Sequence, residues 1–123
     1  MVGEIRVEGN SIIFQLRGID KVLALKSQLK IPIEHIVDVS IERADWNIFN
    51  QLRLGGSAFP GKLKEGRYLS RKEGWLFYEM KDPDSCVTVS LKDERYKKII
   101  FEVKNKEESA NLIRQVMMGN NSE

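Results

Sequence analysis

His35, Cys86 and the carboxylates of two short turns are the residues of this chain whose types bear on chemistry, and their spacing argues against a catalytic centre. His35 is the sole histidine and Cys86 the sole cysteine, so any Ser-His-Asp or Cys-His arrangement has to run through that one imidazole. His35 lies beside Ile33, Ile36 and Val37, an ordinary place for a polar residue entering a strand, and Cys86 opens an apolar run as a small sheet residue. Asp82 and Asp84 flank Pro83, and Asp93 adjoins Glu94; turn chemistry accounts for both pairs without an ion. The stretch from Gly56 to Lys62 has the spacing of a phosphate-binding loop as far as its lysine. Leu63 then stands where Ser or Thr must hold magnesium, and Gly66 follows where a helix must face the phosphate. No enzyme, metal or cofactor is expected.

Two other groups of residues point to binding. Arg53, Lys62, Lys64, Arg67, Arg71 and Lys72 stand against Glu65 alone between residues 53 and 72, in or beside expected loops. Several cations converging there would draw an anionic head group or membrane surface, although charge runs in loops also serve simply as solvated faces. Trp46, Ile48, Phe49 and Leu52, followed by Leu54 and Phe59, place more apolar bulk in an irregular segment than a loop requires. That bulk either folds back over the protomer's own core or meets another subunit, and the second is the preferred reading. The expected partner is a second copy or another protein. Nucleic acid is not expected, because Trp75 and Phe77 share a strand face assigned to the core.

These groups must be held by one small scaffold. A chain of 123 residues suits a single core, so residues 1–123 are read as one domain with a frayed tail at 119–123. Twenty basic residues nearly balance eighteen acidic ones, which excludes a polyelectrolyte. A lone cysteine rules out an intramolecular disulfide, the first residues interleave charges where a secretory signal needs an apolar run, and no stretch is long and apolar enough to span a bilayer as a helix. Cytoplasmic residence is the expectation.

Along the chain, residues 3–7 and 11–17 read as strands joined through Gly9-Asn10. Ile19 to Leu25 fits neither period; residues 28–32 form a short strand ended by Pro32; residues 36–42 alternate Val37, Val39 and Ile41 against polar neighbours. A short helix is expected over residues 45–52 with Asp45 as its cap, then an extended, turning glycine-rich backbone from 55 to 61. Strands follow at 67–70, 75–80, 86–91 and 98–103. Asn105, with Glu108 three residues on, caps a helix whose Ala110, Ile113, Val116 and Met117 form one stripe, and Gly119-Asn120 supplies the stop. Antiparallel strands closed by one helix give a mainly β fold of the pleckstrin-homology (PH) type: a bent antiparallel sheet or partly open barrel capped by one α-helix.

The stretch from Pro60-Gly61 through Gly66, Gly74 and Phe77, then Asp82-Pro83, residues 87–91, Asp93-Glu94-Arg95-Tyr96, Ile99-Ile100 and Glu102-Val103, resembles an uncharacterised bacterial family of small PH-like proteins. The Asp-Glu-Arg-Tyr turn before an apolar strand is its most specific element. The resemblance implies the fold and no ligand or catalytic residue.

Overall fold

The computed structural model describes residues 3–15, 28–44, 51–59, 63–70 and 72–121, which form nine strands, two short 3-10 turns and one α-helix. Strands β1 (Glu4–Glu8) and β2 (Ser11–Gln15) make the expected hairpin, with Glu8 opposite Ser11 and Gly9 at φ 58°, a left-handed position that glycine takes without strain. Strand β3 (Gln28–Pro32) pairs antiparallel with β2 to complete a three-stranded sheet, and Pro32 falls at its end, where a missing amide donor costs little. Ile19 to Leu25 lies outside the described residues.

A 3-10 turn, Ile33–His35, leads into β4 (Ile36–Ser40). The expected alternation breaks at Val37: the register to β8 shifts between Ile36 and Asp38, so the extra residue is pushed outward and Val37 is 54% exposed while Ile36 and Val39 are buried. Strand β5 (Gln51–Phe59) corrects two expectations. Gln51 and Leu52 are extended rather than helical, and the glycines at 55 and 56, extended as expected, sit at a register shift inside a long strand rather than between elements. Residues 45–50 of the expected helix lie outside the described ones. Strand β6 (Leu63–Ser70) follows β5 in the element order, and no helix N-terminus stands there to meet a phosphate among the described residues.

Strands β7 (Gly74–Met80), β8 (Cys86–Leu91) and β9 (Lys98–Glu102) complete a second, six-stranded sheet of order β4-β8-β9-β7-β6-β5. The fold is therefore mainly β with a C-terminal helix, as expected, but it holds two sheets and is not a closed barrel. The ladders are not all antiparallel either: β9 inserts between β7 and β8 and runs parallel to β7, with Phe77 opposite Ile99 and Tyr78 opposite Ile100. Parallel neighbours need a long crossover, and β8 with its flanking turns supplies it. The connection from Met80 to Cys86 must therefore pass over the end of β9.

Helix α1 (Lys106–Asn121) begins as its cap foretells, the Glu108 amide donating to Asn105 Oδ1 at 3.1 Å. It continues through Gly119, so the expected stop is overridden. Its Ala110 and Ile113 are fully buried among Ile12, Phe14 and Ile31 of the first sheet and Val87, Val89, Ile99 and Phe101 of the second, with Val116 and Met117 packed against that core. One core thus joins both sheets and the helix. Phe14 meets Phe101 edge to face at 5.6 Å, and Gly3 is glycine for a steric reason, since a Cβ there would lie 2.0 Å from the Phe101 ring. A second apolar cluster of Tyr68, Leu76, Tyr78, Met80, Cys86 and Ile100 covers the opposite face of the six-stranded sheet, with Ala44 packed on it.

Candidate interaction surfaces

His35, Asp82, Asp84, Cys86 and Glu94, singled out for chemistry, have structural partners. His35 Nδ1 lies 2.5 Å from Glu94 Oε2, and the Lys92 amide donates to the His35 carbonyl at 2.9 Å, so the imidazole fastens the turn before β4 to the turn after β8. Asp82 Oδ1 accepts from the Asp84 amide and Oδ2 from the Ser85 hydroxyl, at 3.0 and 2.9 Å; these two bonds, in that order, hold its carboxyl below the usual range. Cys86 is buried, and that burial, reinforced by the nearby Glu102 charge, pushes its thiol up to about 12, far from a nucleophile's range. No group of three or more His, Cys, Asp or Glu side chains able to hold a metal occurs among the described residues.

The residue that sequence reasoning missed is Glu102, at the end of β9. Its buried Oε1 accepts from the backbone amides of Lys81 and Asp82 at 2.6 and 2.8 Å, while the Val103 amide donates to the Ser85 carbonyl at 3.0 Å. A turn passing over a strand end leaves amides without ladder partners, and this carboxylate supplies them.

The cations expected in or beside loops fall largely along the strands of the sheet. Arg53 falls in β5 opposite Tyr68, Lys64 in β6 opposite Met80, and Arg67 in β6 opposite Phe77, half-buried. The Arg53 and Lys64 levels of the hairpin are four residues of β6 apart, about 13 Å. Lys72 alone occupies a described turn, where Ser70 Oγ accepts from its amide; Lys62 and Arg71 lie outside the described residues. Among the apolar candidates, Leu52 and Phe59 are β5 positions opposite Leu69 and Leu63, while Trp46, Ile48 and Phe49 lie outside the described residues.

What the topology does bring together is the end of the six-stranded sheet where the β6–β7 turn meets the β8–β9 turn. The Lys97 amide donates to the Trp75 carbonyl at 2.7 Å, Lys98 Nζ lies 2.5 Å from Glu73 Oε1, and the Arg95 guanidinium sits 5.8 Å from the centre of the Trp75 ring. Trp75 is half-buried rather than core, which corrects its assignment; Phe77, beneath it, is buried and packs edge to face on Tyr96 at 5.4 Å.

The two borders of this sheet differ. At β4 the helix approaches, and Arg114 Nη2 donates to the Val39 carbonyl at 3.1 Å. At the other border, β5 pairs with β6 and with no second strand among the described residues. Between the borders, an open polar groove of about 410 Å³ crosses the outer face over Ser40, Thr88, Ser90 and Tyr78. Comparison with known proteins returns no family, no curated protein and no solved structure that matches the chain.

Proposed function

We propose that this chain is a non-catalytic, PH-like interaction and assembly domain that self-associates by adding a second copy's strand at β5. The observation that carries the reading is the asymmetry of the sheet's borders. Unpaired strand edges are templates for another chain, and folds that must stay apart blunt them with bulges, charges or covering elements. Each border strand carries one register shift, but only the β4 border is also covered, by the helix and its Arg114 cap; no such cover lies on β5 among the described residues. The β5 border is a nine-residue strand, the longest among the described ones, and it carries Leu52, Leu54 and Phe59 with Arg53 as its lone charge. Trp46, Ile48 and Phe49 precede it in sequence and add the apolar bulk that interfaces favour. The mainly β chain with a helix packed on its core supports the PH-like reading, from which the parallel β7–β9 pair departs. No helix among the described residues is long and apolar enough to cross a membrane.

Ser57→Lys tests the proposal. Position 57 lies opposite Glu65, so a lysine there gains a cross-strand partner within the hairpin while placing an ammonium on the border strand. Light scattering is expected to give a multiple of 14.2 kDa for the natural chain and a reduced mass for the variant, at an unchanged melting temperature. A natural chain that scatters as a monomer at every concentration sinks the reading.

A further inference from the structure

We infer that the rim built from the β6–β7 and β8–β9 turns is a docking surface for an anionic lipid bilayer. The inference goes beyond self-association and stands on different residues from β5.

The described rim residues are Lys72, Glu73, Lys92, Asp93, Glu94, Arg95, Lys97 and Lys98, five cations against three carboxylates. Two of the carboxylates are already engaged: Glu73 by Lys98 and Glu94 by His35, each at 2.5 Å. What remains is Lys72, Lys92, Arg95 and Lys97, all exposed, beside Asp93, the one carboxylate of the described rim residues with no ion-pair or hydrogen-bond partner. These residues are distant in sequence, and backbone bonds hold them together: Leu91 N–H to the Lys97 carbonyl at 2.8 Å closes the second turn, and Lys97 N–H to the Trp75 carbonyl ties it to the first. Trp75 lies in the middle, half-buried, with Arg95 over its ring. An indole flanked by basic side chains suits the head-group level of a bilayer, where the ring enters the interface and the cations meet lipid phosphates.

A nucleic acid strand is the other polyanion to weigh, and the surroundings of the rim disfavour it. A strand needs a basic track continuing away from the first contact. The groove leading off the rim is instead lined by Asp38, Glu42 and Glu73, and its two cations, Arg43 and Lys98, are paired with Asp84 and Glu73. A planar surface touches the rim alone and escapes that repulsion.

The test is sedimentation of the full chain with phosphatidylcholine vesicles, with and without phosphatidylserine. The rim's net charge, five cations minus three carboxylates with His35 neutral, is expected to raise retention on the anionic vesicles about 25-fold over neutral ones, at about fivefold per charge. Retention should fall toward the neutral level in 0.5 M salt. Lys97→Glu, which alters an exposed side chain, should cut retention about 25-fold by reversing one charge. Lys64→Glu, in the β5–β6 hairpin, should leave it unchanged. Circular dichroism verifies the fold, and Lys72→Glu replaces Lys97→Glu if that variant does not fold. Equal retention on both vesicles overturns the inference, as does full retention by the rim variant or a loss caused by Lys64→Glu. Tighter binding to a single-stranded oligonucleotide than to the anionic vesicles overturns it as well, and assigns the rim to nucleic acid.

Discussion

Replacing Ile113 with aspartate is expected to unfold most of the protein or to lower its melting temperature by more than ~10 °C. Ile113 is fully buried where the helix stripe meets both sheets, so the variant forces a carboxylate among Ile33, Val39, Val89 and their neighbours. A buried charge without a partner belongs to the most damaging class of substitution, about 4 kcal/mol or more, against a total domain stability of only about 5 to 15 kcal/mol. Ile113→Val, which removes one methyl group, should cost only about 1 kcal/mol. Thermal denaturation followed by circular dichroism reads both variants. Equal melting temperatures for Ile113→Asp and the natural chain would show that the helix is not part of the shared core.

Glu102→Ala is expected to cost about 3 kcal/mol, since each bond to a charged acceptor contributes roughly 1.5 to 3 kcal/mol and the two donors stay behind without a partner. Those donors are the amides of Lys81 and Asp82, where the chain passes over the end of β9. Glu102→Gln keeps one acceptor oxygen and should recover about half of the loss. Local damage is expected too. Cys86 is the residue opposite Glu102 in the β8–β9 ladder, so its buried thiol should react with a thiol reagent faster in the alanine variant. Unfolding in urea together with thiol labelling checks this; wild-type values for both would mean that the crossing turn is held by its own Asp82 bonds alone.

What the sequence disclosed, and what it hid, follows from the range of the interactions. Gly9 at its turn and Asn105 at its cap act over two or three residues, and both are where their types place them. The order of strands is not local. Asp82-Pro83 reads as a hairpin turn, because the bonds that shape it lie within the turn, yet the chain crosses β9 there to reach β8. A signal for that crossing was present. Ile99, Ile100 and Phe101 are three consecutive apolar residues, all buried, whereas β8 alternates along part of its length; an uninterrupted apolar run marks a strand covered on both faces, in the middle of a sheet. Glu102 and His35 find partners 20 and 59 residues away, beyond any periodic pattern. Charge counting grouped Arg53 with Lys72 because they are near in sequence, while the fold joins Lys72 to Arg95 and Lys97 across two turns. At β5, glycine's usual place in turns concealed a bulged strand.

Self-association at β5 is tested most directly by amide hydrogen exchange of residues 51–59 as a function of protein concentration. In a single protomer, the β5 amides that face away from β6 have no ladder partner among the described residues, whereas strand addition by a second copy pairs them. The expected result is slow exchange for alternate β5 amides at high concentration, turning fast on dilution while β8 and β9 stay protected throughout. Exchange at β5 that does not change with concentration would contradict assembly through this strand.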